Sequence, residues 1–260
     1  MKRVTLETSY IKTAITLADL ARPIAQKYFR MRKDFSNKLD SSPVTIADLE
    51  IETAMRSKIQ TEFPDHGILG EEFKPHNLNS DYVWVLDPID GTKAFITGKP
   101  TFGVLIALCY KTKPILGIID QPILKERWFG AKGLASTHND LKITSRSCTS
   151  IENAWLYATS PSMFADKNKR DFDKLSERVK FSLYGADCYA YGLLASGYTD
   201  IVCEAALKPY DYCALVPIIE GAGGKISDWS GKKLSIWSDG RVLAAGDNDL
   251  HRKALKLLNE

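Results

Sequence analysis

Apolar residues recur at helical spacing near the start of the chain. Ile11, Ile15, Ala18, Ala25 and Phe29 are separated by steps of three, four or seven residues. Residues with these separations share one side of an α-helix, so the pattern predicts an amphipathic helix that covers one face of a core.

A second helix is predicted to begin just after Thr45. Thr45 and Asp48 have the spacing of a capping box, in which the third helical residue reaches back to the capping residue. The apolar residues Ile51, Met55 and Ile59 then follow at intervals of four. The pattern places Asp48 in the first turn of this helix.

Strand-like runs dominate the next part of the chain. They cover residues 82–86, 102–110, 115–119 and 127–129. Short turns such as residues 111–114 join them, and such close spacing predicts an antiparallel meander.

The pattern changes after residue 147. Strand candidates at 155–157, 181–183 and 201–203 alternate with helical patterns at 172–179, 189–196 and 212–220. We therefore predict an N-terminal α+β part, residues 1–147, and a C-terminal α/β part, residues 148–260. No linker rich in Gly, Ser or Pro marks the boundary, so the two parts are expected to pack tightly.

The composition is that of an ordinary globular chain. The 260 residues are 44% hydrophobic and 26% charged, which disfavours disorder and permits a sizeable core. The formal net charge is +3 and the basic residues are scattered, so a nucleic-acid partner is disfavoured. No apolar run approaches the roughly 18 to 20 residues of a membrane span, so no membrane association is expected.

The cysteines indicate a reducing compartment. The chain has five cysteines, and none forms a Cys-x-x-Cys pair, which argues against both a disulfide framework and a zinc site. The start Met1-Lys-Arg could open a leader peptide, but Thr5, Glu7 and Lys12 interrupt any apolar segment. We therefore expect a cytoplasmic protein.

Two carboxylates follow the first strand-like run. The sequence WVLDPIDGTKAF, residues 84–95, carries Asp87 and Asp90 around a Pro-Ile pair, followed by Gly91 and Thr92. One interpretation is a solvated turn fixed by the proline and the glycine. The other is a site for cations and phosphates. The ligand spacing of an EF-hand is not met, and the Walker, Gly-x-Gly-x-x-Gly and Gly-x-Ser-x-Gly motifs are absent from the sequence.

Two further acidic residues could be directed at the same point. Glu71 lies in Gly70-Glu71-Glu72, and Asp211 lies in the segment 208–212, KPYDY. Taken singly, each acid is more often a surface or capping carboxylate than a metal ligand. Spacing alone does not show whether the four acids converge, so both interpretations stay open.

Together these motifs resemble those of the metal-dependent inositol monophosphatase superfamily. The resemblance covers nearly the whole chain and rests on Gly70-Glu71-Glu72, on Asp87-Pro-Ile-Asp-Gly-Thr92, and on Asp211 with Gly221-Ala-Gly-Gly224. Segments similar to the histidinol-phosphate phosphatase branch are 91–96, 119–122, 126–128, 185–191 and 207–211. Many superfamily members carry Trp-Asp where this chain has Tyr210-Asp211, and that branch shares the tyrosine.

The resemblance implies a fold, an assembly and a metal site. The fold is an α/β structure, a layered α/β/α/β/α sandwich of the inositol monophosphatase and fructose-1,6-bisphosphatase type, and the assembly is a homodimer. The implied ligands are Glu71, Asp87 and the Ile89 carbonyl for one Mg²⁺, and Asp87, Asp90 and Asp211 for a second. A third, weaker Mg²⁺ near Glu71 and inhibition by Li⁺ are also implied. All of these ligands except Asp211 belong to the N-terminal part.

The same resemblance implies catalytic and phosphate-binding roles. Thr92 is expected to orient the attacking water with Asp48 as its partner. Glu71 is expected to be a catalytic residue as well as a metal ligand. The backbone at Gly91 and Thr92 is expected to bind phosphate, which suits N–H groups that open a helix. Asp48 also fits a helix cap, and the two roles are compatible.

Two more acids are expected on the side of the leaving alcohol. Asp187 and Glu204 lie where family members contact that group, and histidinol carries an ammonium and an imidazole that carboxylates attract. Without the resemblance, an N-cap role for Asp187 and a strand-end ion pair for Glu204 are about equally favoured.

The leading hypothesis is an Mg²⁺-dependent histidinol-phosphate phosphatase of histidine biosynthesis, in which a metal-activated water attacks the phosphate monoester. Inositol-1-monophosphatase and 3′-phosphoadenosine 5′-phosphate phosphatase are the alternatives within the class. A regulatory member of the fold that binds RNA or protein is the non-enzymatic alternative, which the complete ligand set disfavours.

Overall fold

The computed structural model describes residues 6–31, 36–37 and 43–260. Residues 1–5, which enter the expectation about a leader peptide, lie outside the described residues. Across the described ranges, no helix combines the length and the apolar content that crossing a bilayer requires.

Two long helices form the first layer of the fold. α1 spans Thr8–Tyr28 and α2 spans Ile46–Glu62. The capping box of α2 is confirmed. The Thr45 hydroxyl accepts a hydrogen bond from the Ala47 backbone N–H (3.2 Å), and the Asp48 carboxylate accepts one from the Thr45 backbone N–H (2.8 Å).

The buried stripe of α1 differs in part from the predicted one. Ala18 and Ala25 are buried as predicted, but Ile15 is 38% exposed. Ala14 and Ala21 are buried in its place. Tyr10 and Leu17 are buried as well, so the packed face combines large side chains with alanines, and the stripe predicted from the sequence departs from it at Ile15.

A seven-stranded sheet lies against these helices. The short strands β1 (Ser36–Asn37) and β2 (Pro43–Val44) form a separate antiparallel pair. The strands of the sheet are β3 (Gly67–Gly70), β4 (Tyr82–Asp90), β5 (Gly103–Tyr110), β6 (Lys113–Gln121), β7 (Glu126–Ala131), β8 (Thr137–His138) and β9 (Leu141–Lys142). They lie side by side in chain order, with β3 parallel to β4 and every later pair antiparallel. The predicted meander is confirmed, and β3, β8 and β9 are additions to it.

A five-stranded sheet follows in the C-terminal part. Its strands are β10 (Trp155–Ala158), β11 (Phe181–Tyr184), β12 (Ile201–Glu204), β13 (Lys225–Ser227) and β14 (Val242–Ala245). Their order across the sheet is β11, β10, β12, β14, β13. β10 is parallel to both of its neighbours, and β14 is antiparallel to both of its own. The three predicted strands are confirmed, whereas β13 and β14 are additions.

The remaining helices complete five layers. They are α3 (Thr92–Ile96), α4 (Asp166–Ser176), α5 (Tyr189–Ala195), α6 (Pro209–Tyr212), α7 (Leu215–Gly221) and α8 (Asn248–Leu258). α5 and α7 lie between the sheets, and α4 and α8 cover the outer face of the second sheet. The predicted α/β/α/β/α sandwich is confirmed. The helix predicted at 212–220 is divided between α6 and α7, and the one predicted at 172–179 is α4, which starts and ends earlier.

Alternation along β4 divides its side chains between two cores. Trp84 and Leu86 pack in the core that includes α1 and α2, whereas Val83 and Val85 pack in the core between the sheets. Because both faces of the strand are covered, it appears in the sequence as an uninterrupted apolar run. The core between the sheets contains residues of both parts of the chain, and the division into two domains at residue 147 stays a prediction.

Candidate active site

β4 ends in two carboxylates that point to the same place. In a regular strand, Asp87 and Asp90 would lie on opposite faces, because they are an odd number of residues apart. The register to β5 shifts between them, since Asp87 pairs with Leu105 and Asp90 pairs with Gly103. β4 therefore has one more residue than β5 between these two pairs, which is a β-bulge. The bulge changes the direction in which the side chain of Asp90 points.

Asp211 joins these two acids from a distant segment. α6 begins at Pro209, and the Asp211 carboxylate accepts a hydrogen bond from the Lys208 backbone N–H (2.6 Å). One carboxylate oxygen from each of Asp87, Asp90 and Asp211 lies within 4.8 Å of the other two. The tertiary structure thus brings together three of the acids that the sequence singles out.

Two glycines let the segment after Asp211 lie directly on the first sheet. A Cβ atom at Gly117 would lie 1.9 Å from the carbonyl oxygen of Ala214, and one at Gly130 would lie 2.5 Å from the backbone nitrogen of Ile218. Real side chains essentially never approach so closely. Because glycine has no Cβ at these positions of β6 and β7, α7 can lie close to the sheet, and this contact also positions the preceding helix α6.

Burial and mutual repulsion raise the pKa of all three carboxyls. Burial is the larger cause for Asp87 and Asp90, whose pKa values lie well above the usual range, and the charges of neighbouring acids raise them further. Burial also raises the pKa of Asp211 to about 7, and the charge of Glu71 contributes. A set of carboxylate oxygens held together against this repulsion fits a hard divalent cation.

Asp48 uses only one of its two carboxylate oxygens as a helix cap. Its Oδ2 accepts hydrogen bonds from the Thr45 backbone N–H and hydroxyl (2.8 and 2.5 Å). Its Oδ1 is buried and has no hydrogen-bond partner in the described part of the chain. Burial raises the pKa of Asp48 to about 6, with a further contribution from Glu71. Buried polar atoms are normally satisfied, so the open oxygen fits a bound water or cation.

Glu71 lies in the turn that follows β3. Its negative charge is among the causes that raise the pKa values of Asp48, Asp87 and Asp211. A carboxylate exerts such an effect on three acids only when it lies near all of them. Glu71 therefore lies near the cluster.

The loop after β4 has a fixed conformation. Asp87 accepts a hydrogen bond from the Ile89 backbone N–H (3.0 Å), and the Thr92 hydroxyl donates one to the Ile89 carbonyl oxygen (3.2 Å). Gly91 has a φ of 84°, in the left-handed region, and precedes the first residue of α3. The hydroxyl of Thr92 thus contacts Ile89, while Asp48, its expected partner, makes its hydrogen bonds to Thr45.

A pocket of about 130 Å³ opens beside the acidic cluster. Its walls are formed by Asp90, Thr159, Met163, Asp187, Cys188, Tyr191, Glu204, Leu207 and Asp211. The two acids expected on the alcohol side, Asp187 and Glu204, both belong to these walls. The pocket therefore combines two acids from the three-carboxylate cluster with two that lie outside it.

Glu204 is held in the pocket wall by two neutral donors. The Thr159 backbone N–H donates to one of its carboxylate oxygens (2.8 Å), and the Tyr191 hydroxyl donates to the other (3.0 Å). Burial raises the pKa of Glu204, and these two hydrogen bonds oppose the shift. The strand-end ion pair considered from the sequence is not formed within the described residues.

Asp187 packs against Gly91 in the loop after β4. Its backbone is left-handed, with a φ of 47°. A Cβ atom at Gly91 would lie 2.8 Å from the Asp187 Cγ, so the glycine allows this contact. Burial raises the pKa of Asp187, and the positive charges of Lys99 and Lys93 oppose the shift. The N-cap interpretation is wrong, because the N-cap position of α5 is Cys188.

Three residues of the site are absent from the sequence-based prediction. The Cys188 backbone N–H donates to the Asp90 carboxylate (2.6 Å), and Thr159 and Tyr191 hold Glu204 as described. Tyr191 lies in the segment 185–191 that resembles the histidinol-phosphate phosphatase branch, which is a usable signal. Thr159 and Cys188 contribute backbone N–H groups, and residue type carries no information about those.

The raised pKa values predict that the metal-free protein loses stability as pH rises. A carboxyl whose folded pKa exceeds its unfolded pKa stabilises the fold below the unfolded value, and this contribution is lost through the folded value. For Asp211 that window runs from its usual 3.8 to about 7. His251 acts oppositely, since burial lowers its pKa from 6.5 to about 4, but its contribution is complete above pH 6.5.

Between pH 6.5 and 7.5 the free energy of unfolding without metal should therefore fall, at about 1.4 kcal/mol per pH unit for each extra proton that the folded state holds, and the melting temperature should fall with it. Thermal unfolding in EDTA measures this slope. Asp211→Asn should flatten it, and an excess of Mg²⁺ should restore stability at the upper pH. A melting temperature that rises across this interval in the metal-free protein would contradict the electrostatic account.

Comparison with known proteins agrees with this geometry. The sequence model of the inositol monophosphatase family matches residues 6–260. Bifunctional phosphatase IMPL2, chloroplastic, of Arabidopsis thaliana is 53% identical over 251 residues, which are 93% of this chain and 72% of that protein. A histidinol-phosphatase of Chlorobaculum parvum is 32% identical over 250 residues, 95% of this chain and 96% of that protein. The structure of an inositol monophosphatase from Zymomonas mobilis superposes with a TM-score of 0.91 at 44% identity, covering 98% of this chain and all of that one.

The layered fold, the acidic cluster and these similarities define a phosphomonoesterase, a hydrolase that releases phosphate from its monoesters. The chain belongs to the inositol monophosphatase family, and its relatives include histidinol-phosphatases. The non-enzymatic alternative considered from the sequence is accordingly not favoured.

Proposed function

We propose that the protein is an Mg²⁺-dependent histidinol-phosphate phosphatase. The observation that carries the proposal is the pocket beside the cluster, where Asp187 and Glu204 add two acids to those that would hold metal. A leaving alcohol that carries an ammonium and an imidazole gains charge-assisted hydrogen bonds from such acids. An uncharged polyol gains much less from them.

The metal ligands of the proposal are those given by the family resemblance. Glu71, Asp87 and the Ile89 carbonyl would hold one Mg²⁺, and Asp87, Asp90 and Asp211 a second, with a third, weaker ion near Glu71. Support comes from the oxygen-only donor set, the convergence of three carboxylates and the open oxygen of Asp48. When bound, Mg²⁺ would lower the pKa of a bound water and neutralise the charge of the phosphate and the departing alkoxide.

The protein's own groups would then position the reactants. The Thr92 hydroxyl donates to the Ile89 carbonyl, so its oxygen keeps lone pairs that can accept a hydrogen bond from the attacking water. Asp48 Oδ1 offers a second buried acceptor for the attacking water. Glu71 would also help to position this water. The backbone N–H groups of Gly91 and Thr92, at the start of α3, would bind phosphate oxygens. Holding water and phosphate in line would lower the entropic cost of the reaction and so contribute to the rate gain.

The two pocket acids are not equivalent in this proposal. The charges of Lys93 and Lys99 partly offset that of Asp187. Glu204 is held only by neutral donors among the described residues, and a carboxylate has about four acceptor sites, of which two are used. Glu204 is therefore the stronger candidate for contact with the cationic group of the substrate.

Replacing either acid by its amide should lower kcat/KM for histidinol phosphate much more than for an uncharged phosphate monoester. Loss of a charge-assisted hydrogen bond, about 1.5 to 3 kcal/mol, corresponds to roughly tenfold to a hundredfold in discrimination. Glu204→Gln is expected to have the larger effect and Asp187→Asn the smaller. Steady-state kinetics with both substrates on the same variant measure the ratio.

The matched control is Glu152→Gln, because Glu152 is an exposed acid paired with Arg178 outside the pocket. It should leave the ratio of the two substrates unchanged. An equal loss for both substrates in the pocket variants would make these acids structural. In that case the alternatives, inositol 1-phosphate and 3′-phosphoadenosine 5′-phosphate, would be tested first in a panel of monoesters with and without Mg²⁺.

A homodimer is part of the same proposal. Trp155 and Phe181 stack edge to face on β10 and the edge strand β11, and they are 39% and 49% exposed. Tyr184 at the end of β11 is 41% exposed. An exposed apolar patch on an unpaired sheet edge supports a surface that a second copy covers. Light scattering in solution tests this, and the mass of a single chain would contradict it.

A cytoplasmic location also stays a proposal. All five cysteines are free thiols, and four of them are buried. Thiols that remain unpaired are typical of a reducing compartment. Fractionation of the native source with a marker for each compartment would test the location.

A further inference from the structure

Helix α2 carries a second buried acid on the same face as Asp48. Glu52 lies four residues after Asp48, which is one turn of the helix, and its side chain is completely buried. It lies outside the pocket and outside the three-carboxylate cluster. A buried glutamate is rare unless it is paired, so its partners indicate its role.

The partners of Glu52 are the backbone that follows Glu71. One carboxylate oxygen accepts a hydrogen bond from the Glu72 backbone N–H (2.8 Å), and the other accepts one from the Phe73 backbone N–H (3.3 Å). Arg56, one further turn along α2, donates to the second oxygen through Nε (2.7 Å) and to the Phe73 carbonyl (3.1 Å). The carboxylate and the guanidinium thus bind the same short turn from one helix.

The residue that precedes Glu71 is fixed against the same carboxylate. A Cβ atom at Gly70 would lie 2.0 Å from Glu52 Oε1 and 2.7 Å from Oε2, so only glycine lets the strand end approach this closely. The residues on both sides of Glu71 therefore contact the Glu52 carboxylate: Gly70 packs against it, and Glu72 donates a hydrogen bond to it. Its position relative to Asp48 is set through a single helix.

We propose that Glu52 is a positioning residue that holds Glu71 at the metal site. This inference rests on the proposed metal-dependent function, in which Glu71 is a ligand. The requirement is for a carboxylate and not merely for a side chain of this size. Glutamine offers one acceptor oxygen and one N–H₂ group, so at least one of the three donors at this carboxylate would face another donor. The turn would then shift, and Glu71 with it.

The test compares Glu52→Gln with Glu50→Gln, the same change on the same helix. Glu50 is partly exposed, accepts a hydrogen bond from the Tyr28 hydroxyl and pairs with Lys27 away from the site. Titration with Mn²⁺ without substrate, followed by calorimetry, should show roughly tenfold to a hundredfold weaker binding in Glu52→Gln, as is typical for groups that orient metal ligands. Glu50→Gln should bind Mn²⁺ as the wild type does. Raising Mg²⁺ should recover much of the turnover of Glu52→Gln, which a general loss of structure would not permit.

A second variant keeps the inference testable if Glu52→Gln does not fold. Gly70→Ala changes no charge but displaces the strand end from Glu52, and it should weaken Mn²⁺ binding in the same direction. Wild-type Mn²⁺ affinity in a folded Glu52→Gln or Gly70→Ala protein would overturn the proposal. If the wild type releases no phosphate from any monoester but Glu52→Gln still loses Mn²⁺ affinity, the proposed function fails and this inference stands. If the wild type is active and Glu52→Gln binds Mn²⁺ normally, the reverse holds.

Discussion

Asp87→Asn is expected to lower kcat/KM for phosphate monoesters by more than about a hundredfold, and Asp90→Asn is expected to do the same. In the proposed site Asp87 would be a ligand of both ions, and each substitution removes a negative charge from a cluster whose oxygens lie within 4.8 Å of one another. Residues that only orient metal ligands typically cost tenfold to a hundredfold when changed, so loss of a ligand should exceed that range. Steady-state kinetics at moderate Mg²⁺ measure the effect.

The same variants should leave the metal-free fold intact or make it more stable. Burial and the neighbouring acids raise the pKa values of Asp87 and Asp90, which means that the charged cluster opposes folding until a cation binds. The melting temperature in EDTA should be equal to or above that of the wild type. Asp173→Asn is the matched control, because Asp173 is a partly exposed helical acid paired with Lys169 away from the cluster. Near-wild-type turnover in either cluster variant would refute the assignment of these ligands.

Removal of divalent metal should abolish turnover, and the identity of the metal that restores it should be selective. Mg²⁺ should restore activity, whereas Ca²⁺ should bind without supporting efficient turnover. Calcium is larger and less strict in its geometry, so the attacking water would be misplaced even where affinity is adequate. Li⁺ should inhibit at least in part, as the family resemblance implies. Phosphate release after EDTA treatment, with Mg²⁺ or Ca²⁺ added back and with Li⁺ added together with Mg²⁺, measures these expectations.

The control for this experiment is binding without turnover. Ca²⁺ should raise the melting temperature of the metal-free protein, because any cation that binds only the folded cluster stabilises it. That result would show that the site is occupied when turnover is absent. Full activity with Ca²⁺ as the sole metal would count against the proposed geometry.

Local patterns were sufficient wherever neighbouring residues decide the structure. The capping box at Thr45 and Asp48 is confirmed because both partners lie in the same turn. The strand that ends at Asp87 is recognisable because its two covered faces leave an uninterrupted apolar run. The predicted stripe of α1 is wrong at Ile15, because helical spacing also fits the neighbouring face that carries Ala14 and Leu17, and packing in the core selects that face.

The sequence by itself determined the α/β class of the fold, the acids available for a site and, through the order of its motifs, the family to which the chain belongs. Only the tertiary structure decided which of those acids meet. A bulge redirects Asp90, glycines of β6 and β7 admit the segment that carries Asp211, and Glu52 fixes the turn that carries Glu71. Each of these depends on contacts between segments far apart in the chain, and the spacing of residues along the sequence does not encode such contacts.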